Sequence, residues 1–252
     1  MKKNIRIWIY SLVVIGAFLM LTTSCKKGDD NNDSSSSGTV KDIDGNVYHT
    51  VTIGTQVWMV ENLKTTKYRN GSPIPNVTDN DQWGSLSTGA YCDYNNDAAI
   101  GVKYGKLYNW YAVNDIRNIA PTDWHVPTAT EWTILEDYVA ANLGTSGSVP
   151  KALASKTDWA SSSSAGAIGN DLTKNNSSGF TALPGGGRFD SGNFRQSGIY
   201  LFIGVYGSWW SSTTLNTPNV LDAWERGLDY DYGVVYDHAA KIEGYSVRCL
   251  RD

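Results

Sequence analysis

The chain has little of the chemistry on which most reactive sites depend. Its 252 residues include only three cysteines and three histidines, and 18% of them are charged, whereas an average domain has about 25%. So few thiols and imidazoles leave little material for a thiolate or histidine-rich metal site. Basic residues run together only at Lys2–Lys3 and Lys26–Lys27, and the formal net charge is −4. We therefore expect no nucleic-acid partner, since phosphate binding needs clustered lysine and arginine.

Apolar and aromatic residues are plentiful. Hydrophobic residues make up 41% of the chain and aromatic residues 12%, with ten tryptophans and fifteen tyrosines. Such a composition excludes disorder of the whole chain and is sufficient for a sizeable core. Since each tryptophan can bury roughly 150–250 Å², most of them must belong to that core.

The N-terminus has the pattern of a secretory signal. A basic start, Lys2–Arg6, precedes the apolar run Ile7–Leu21, and small residues then lead to Cys25. The run is shorter than the 20 or so residues of a membrane-spanning helix. We interpret residues 1–24 as a lipoprotein signal peptide and Cys25 as the acylated residue that holds the protein in a lipid bilayer. A lipoprotein signal usually has leucine three residues before the cysteine, whereas this chain has Thr22. The alternatives are an uncleaved membrane anchor and a signal peptide cleaved at another position.

Residues 25–38 follow as a polar segment without a large apolar side chain. Such a segment has nothing to bury, so it predicts a flexible tether. Lysines followed by aspartates just after the cysteine resemble the surface-export signal of Bacteroidetes lipoproteins, although any soluble linker has a similar composition. The expected location is the outer membrane, at the cell surface.

Residues 39–252 are expected to form one α+β domain. Alternating residues around Gly54 predict a β-hairpin over 47–60. Thr128 and Glu131 form a capping box that predicts a helix from that point. From Phe180 onward the pattern is that of β-strands separated by glycines. Helices before antiparallel strands are typical of the α+β class.

One stretch has the spacing of a calcium loop. Asp93, Asn95 and Asp97 place oxygen ligands at alternate positions. An EF-hand would continue with glycine and glutamate, where this chain has Ala98 and Tyr104, so the EF-hand is excluded. A different Ca²⁺ site is weakly supported, and an ordinary turn rich in Asp and Asn is the plainer interpretation.

No arrangement of residues in the sequence indicates catalysis. None of the three histidines, His49, His125 and His238, has a nucleophile elbow or a metal-type partner nearby in sequence. The glycine-rich segment 184–188 lacks the lysine of a phosphate-binding loop. We predict no catalytic residue, no cofactor and no enzymatic activity.

Cys92 and Cys249 remain after the lipidated cysteine. Outside the cytoplasm they are free to form a disulfide, which would close a long loop and contribute roughly 4–5 kcal/mol in the chain-entropy model. The other interpretation is two buried free thiols. Both alternatives stay open at this point.

Aromatic residues in the C-terminal half suggest a ligand-binding surface. Trp209 and Trp210 are neighbours, so if both lie in one strand their side chains point to opposite faces, one to the core and one to solvent or a ligand. Trp224 and Arg226 add aromatic and hydrogen-bonding groups to this region, and Arg188 in the glycine-rich segment completes the candidate set. Aromatic platforms stack on sugar rings, although stacking within the core is the plainer alternative.

Several segments together resemble the Fibrobacter succinogenes major paralogous domain family of secreted and lipid-anchored bacterial proteins. The segments occur in family order and are DIDGNVYHTVTIGTQVWMVENL (42–63), YCDYNND (91–97), YGKLYNWYAV (104–113), WHVPTATEW (124–132), GFTALPGGGRFDSGNF (179–194), WWSST (209–213) and YSVRCLRD (245–252). The family is similar to the C-type-lectin-like fold found in formylglycine-generating enzymes. Many members have a cysteine where this chain has Ala120–Pro121, which removes a natural partner for Cys249.

The resemblance does not carry catalysis, and the anchor, the tether and the aromatic-rich C-terminal half favour binding. Formylglycine-generating enzymes use two redox-active cysteines that bind copper, and here the available pair occupies other motif positions. We therefore expect a lipid-anchored, surface-exposed, non-enzymatic module that binds an extracellular ligand, either a glycan or a protein, or serves in adhesion. The alternatives are an oxidase like the formylglycine-generating enzymes and a structural component of the envelope.

Overall fold

The structure is a computed structural model that describes residues 38–143, 148–194, 202–215 and 221–252, without the side chains of 234–237. These residues all fall within one compact unit, Ser35–Asp252. The predicted signal peptide, the predicted lipidation site Cys25 and the predicted tether up to residue 37 lie outside the described residues. Within the described part of the chain, no helix has the length and apolar character needed to cross a membrane.

Ten strands and five α-helices make up the described fold, which confirms the α+β class. The strands are β1 (Thr39–Lys41), β2 (Val47–Ile53), β3 (Gln56–Met59), β4 (Tyr91–Cys92), β5 (Leu107–Tyr108), β6 (Trp124–His125), β7 (Tyr206–Thr214), β8 (Asp222–Asp229), β9 (Gly233–Ala240) and β10 (Leu250–Arg251). The helices are α1 (Asn80–Gly84), α2 (Ala98–Tyr104), α3 (Trp110–Val113), α4 (Ala129–Asn142) and α5 (Val149–Leu153).

A five-stranded antiparallel sheet joins the two ends of the described domain. Its order is β1-β2-β3-β10-β6, so the last strand pairs between β3 and β6. The predicted hairpin is confirmed as β2 and β3, with Ile53 opposite Gln56. Gly54 turns the chain at φ +62°, and a Cβ there would lie 2.8 Å from the ring of Tyr138. The turn therefore needs glycine both for its backbone conformation and for the approach of α4.

A second, three-stranded sheet forms the centre of the C-terminal half. Its order is β7-β8-β9, all antiparallel, and β4 with β5 forms a separate small ladder. Isolated bridges connect β7 to neighbouring loops, since Gly207 pairs with Gly186 and Trp209 pairs with Ser246. The edge of β7 that faces away from β8 is consequently paired with other segments.

The predicted capping box at the start of α4 is confirmed. The Thr128 Oγ1 accepts a hydrogen bond from the Glu131 amide at 3.2 Å, and the Glu131 carboxylate accepts one from the Thr128 amide at 2.8 Å. The helix buries Trp132, Leu135 and Val139 on one face, because these positions recur at helical spacing.

Two large clusters of buried residues lie on either side of β7. One contains Trp210 with Tyr245 and Val247, and the other contains Trp209 with α4 residues such as Trp132. Eight of the nine tryptophans after the predicted signal peptide are buried, so the prediction that most belong to the core is confirmed. The exception is Trp224, which is half-buried.

Removing the cap should destabilise the domain modestly. Thr128→Ala leaves the Glu131 amide without its side-chain acceptor, so we expect the free energy of unfolding to fall by about 1 kcal/mol. Thr130→Ala is the matched control, since Thr130 is exposed in the same helix and alanine is a better helix former. Urea unfolding followed by circular dichroism measures both, and an equal effect of the two substitutions would contradict the role of the cap.

Candidate functional site

The adjacent tryptophans Trp209 and Trp210 are both buried, with exposed fractions of 1% and 0%. The indole of Trp209 donates to Asn62 Oδ1 at 2.8 Å, and that of Trp210 donates to the Tyr108 carbonyl at 2.8 Å. The expectation that one of them faces solvent or a ligand is therefore wrong. Alternation does send them to opposite faces, but each face of β7 is covered by a hydrophobic cluster.

Arg188 is also unavailable to a ligand, because its side chain is fully buried. Its Nε donates to the Gly192 carbonyl at 2.7 Å and its Nη1 to the Val77 carbonyl at 2.6 Å. The guanidinium lies over the ring of Trp83, 4.4 Å from its centroid. The candidate binding residue is thus a structural one that ties the segment before α1 to the loop at 188–192.

Arg226 serves a similar purpose between β8 and α4. Its Nε lies 3.2 Å from Glu136 Oε1, and its Nη2 donates to the Ala129 carbonyl at 3.2 Å. Both charged side chains are nearly excluded from solvent, so this is a buried ion pair with additional hydrogen bonds. Its assignment as a ligand contact is wrong for the same physical reason as that of Arg188.

Trp224 is the candidate that stays accessible. It lies opposite His238 on the neighbouring strand, and the two rings meet edge to face with centroids 6.3 Å apart. The His238 Nδ1 lies 2.8 Å from Asp222 Oδ2, two residues before Trp224 on the same face of β8. Leu221 beside them is 71% exposed. We call Leu221, Asp222, Trp224 and His238 the Trp224 surface.

The chemistry of the Trp224 surface suits recognition rather than reaction. It combines an aromatic side chain with a carboxylate and an imidazole that are hydrogen-bonded to each other. An aromatic ring supplies stacking area, and polar groups at its edge supply hydrogen bonds to hydroxyl or amide groups of a ligand.

The calcium-type spacing at 93–97 forms an Asp- and Asn-rich turn. The carboxylate of Asp93 is buried and receives the Lys106 ammonium at 2.7 Å. Asn95 has φ +53° inside a short 3-10 turn, and Asp97 caps α2 by accepting from the Ala99 amide at 2.9 Å. These side chains therefore work separately, and the described residues contain no group of three or more His, Cys, Asp or Glu side chains that could hold a metal.

Carboxylates hold all three histidines, which the sequence reasoning missed. His49 Nδ1 lies 2.6 Å from Glu61, and His125 lies between Asp252 at 2.6 Å and Glu131 at 3.0 Å. The last two contacts join the end of the chain to the capping box of α4. The contact between His125 and Asp252 could not be predicted from local sequence, because the two residues are 127 positions apart.

Cys92 and Cys249 are free, buried thiols in the structure. Cys249 lies in the cluster that contains Trp210, whereas Cys92 lies in a third cluster with Trp83 and Leu107. Burial raises the pKa of Cys92 to about 12 and also raises the pKa of Cys249 well above its usual value. Both sulfurs are therefore neutral and poorly nucleophilic near neutral pH.

We expect the thiols to react only after unfolding. Protein from residue 35 onward, which contains both cysteines and no others, should show no reaction with Ellman's reagent when folded and two thiols per chain in denaturant without reductant. No thiol in denaturant would mean a disulfide and would contradict the structure.

The raised pKa also predicts a loss of stability in alkali. Because folded Cys92 keeps its proton above the pH at which the unfolded thiol loses it, the free energy of unfolding should fall as pH rises from about 9 to about 12, by up to about 1.4 kcal/mol per pH unit. Cys92→Ala should reduce that slope in urea titrations, while Cys249→Ala removes the parallel contribution of the other thiol. An unchanged slope in both variants would contradict this assignment.

Comparison with known proteins places most of the domain in one family. No curated protein and no solved structure matches the chain. The family described as Fibrobacter succinogenes major domain matches residues 51–251, from within β2 to within β10. That range contains the Trp224 surface, both buried thiols and the strands that carry the core. The chain therefore belongs to the Fibrobacter succinogenes major domain family, as its motifs predict.

Proposed function

We propose that this protein is a lipid-anchored, non-enzymatic binding module of the outer membrane that takes an extracellular ligand, a glycan or a protein, on the Trp224 surface. The observation that carries the proposal is the position of Trp224. It is the one tryptophan of the domain that is not buried, and it lies on a strand whose neighbouring residues are fixed by the core. A rigid aromatic contact of this kind loses little conformational entropy on binding.

A C-type-lectin-like fold is part of the same proposal. Support comes from the closure of the domain, since β1 and β10 lie in one sheet although they stand at its two ends in sequence. Further support comes from the separate small sheet β7-β8-β9 that carries the Trp224 surface. Such a closed body holds its binding face independently of the tether.

An oxidase like the formylglycine-generating enzymes has less support. That chemistry needs two reactive cysteines that act together, whereas Cys92 and Cys249 lie in different clusters. Their raised pKa values oppose formation of the thiolate that binds copper. No feature of the described residues specifically supports a purely structural role in the envelope.

The anchor has a direct test in a bacterium that processes lipoproteins. We expect the mature protein to begin at an acylated Cys25, to partition into detergent and to be cleaved by protease added to intact cells. Cys25→Ala should abolish incorporation of a labelled fatty acid, whereas the control Cys92→Ala should retain it. Acylation of the Cys25→Ala protein, or an unacylated N-terminus on the parent protein, would contradict the proposed anchor.

Binding has its own test on the protein from residue 35 onward. We expect glycan arrays and pull-downs to yield a ligand whose affinity falls about ten-fold or more in Trp224→Ala, because the stacking contact is lost. Tyr232→Ala is the matched control, since Tyr232 is 87% exposed at the turn between β8 and β9. Circular dichroism checks that both variants fold. An unchanged affinity in Trp224→Ala, or no binding to any ligand class in these assays, would contradict the proposal.

A further inference from the structure

A cleft of ≈ 160 Å³ lies beside β1, away from the Trp224 surface. Lys41 and Ile43 line it from the N-terminal segment, and Arg69 and Pro121 line it from other loops. Its volume is close to that of an engineered cavity of about 150 Å³ that holds benzene. The cleft thus has room for a group of the size of one small ring.

Arg69 brings a positive charge to this cleft and forms no ion pair with any described residue. Its Nε donates to the Ala120 carbonyl at 2.9 Å, and its Nη2 donates to the carbonyls of Pro121 and Trp124, each at 2.6 Å. All three acceptors are neutral. In the described part of the chain, Nη1 has no hydrogen-bond partner and the guanidinium has no ion pair. Two N–H groups therefore remain for a ligand.

Lys41 adds a second positive charge. It is exposed on the edge strand β1 and forms no ion pair with any described residue. An ammonium and one guanidinium nitrogen from different elements can receive the two oxygens of one carboxylate. A bidentate fork from Arg69 alone is not available, since its other nitrogens are held by the carbonyls.

Asp42 is the one carboxylate among the residues that line the cleft, and it is already engaged. Its oxygens accept hydrogen bonds from the amides of Asp44 at 3.0 Å and Asn46 at 2.9 Å, from Asn46 Nδ2 at 2.8 Å and from the Tyr48 hydroxyl at 2.5 Å. These donors are all neutral, and they direct the carboxylate to its own turn. Asp42 consequently forms no ion pair with Arg69 or Lys41, and the lining carries two positive charges against its one negative charge.

The remaining wall is mainly apolar. Ile43, which is 51% exposed, lines it together with Ile119, Ala120 and Pro121, and Thr122 adds one hydroxyl. Exposed isoleucine beside cations that form no ion pair favours a ligand with an apolar body and one negative group. A neutral sugar would leave both charges without a partner, and inorganic phosphate would leave the apolar wall in water.

We propose that this cleft binds a small carboxylate with an apolar body, held by Lys41 Nζ and Arg69 Nη1 and covered by Ile43. Two sources share that chemistry: a free aromatic or aliphatic carboxylic acid, and the carboxylate at the C-terminus of a peptide. The site has no residue in common with the Trp224 surface, and its occupancy is independent of the function proposed there.

Titration of ¹⁵N-labelled protein from residue 35 onward with benzoate tests the proposal. We expect shifts confined to the amides around 41–43 and 119–122, with millimolar or tighter affinity, and binding at least about ten-fold weaker for neutral benzamide and for inorganic phosphate. Affinity should also fall as salt rises, since the attraction is electrostatic. Absence of these shifts, or equal binding of benzamide or phosphate, would overturn the proposal.

Variants locate the site. Lys41→Gln should weaken benzoate binding about five- to ten-fold, whereas Lys156→Gln, at an exposed lysine outside the cleft, should not change it. The Lys41 side chain forms no hydrogen bond or ion pair with a described residue, and the substitution keeps its backbone pairing with Val47, so the variant stays interpretable. Arg69 is left intact because it holds three carbonyls. Equal affinities of the two variants would overturn the assignment.

One further measurement identifies the source of the carboxylate, and another tests whether the cleft is independent of the Trp224 surface. A peptide that ends in a free phenylalanine carboxylate should bind and its amide should not if chain termini are the ligand, while binding of benzoate alone assigns the cleft to small acids. Trp224→Ala should leave benzoate binding unchanged, so failure of the Trp224 proposal and failure of this one are told apart. Loss of benzoate binding in Trp224→Ala would overturn the independence of the cleft.

Discussion

Burial of β7 on both faces is the constraint on which the rest of the domain depends. Trp209 and Trp210 insert into different hydrophobic clusters, and their indole nitrogens bond to groups far away in sequence, Asn62 and Tyr108. Burial of roughly 150–250 Å² for each indole is a large favourable contribution at about 25 cal/mol per Å². Because one strand contributes to both clusters, β7 links the two halves of the core. Side chains that a ligand can reach therefore lie on the outer parts of the sheets, where the Trp224 surface is found.

Arginines complete this core in an unusual way for so weakly charged a chain. Arg248 is fully buried, donates to Asn62 Oδ1 at 2.9 Å and lies over the ring of Phe180 at 4.3 Å. Burial lowers its pKa to about 9, since the charged form loses hydration. Arg188 is likewise held by backbone carbonyls and an aromatic ring. Planar guanidinium groups suit this use because they donate in several directions and stack on rings at the same time.

Local patterns predicted the local structure well. The capping box of α4 and the hairpin of β2 and β3 each depend on residues a few positions apart, so their spacing is readable in sequence. The burial of Trp210 was not readable, because alternation states only that its face is opposite that of Trp209 and says nothing about what covers that face. The prediction that Arg188 contacts a ligand was wrong for a related reason. Its acceptors at Val77 and Thr78 lie 111 and 110 residues away, so a cation that looks available in sequence is enclosed in the fold.

The same carbonyl-held arrangement has different consequences inside and at the surface. Arg188 and Arg248 are fully buried against carbonyls and rings, so their charges are closed to other molecules. Arg69 is also held by carbonyls but is half-buried and lines an open cleft. Since neutral carbonyls do not cancel its charge, the field of this arginine extends into the cleft, where Lys41 reinforces it. Partial exposure of Arg69, together with the nearby charge of Lys41, thus gives a structural arginine the means to attract an anion.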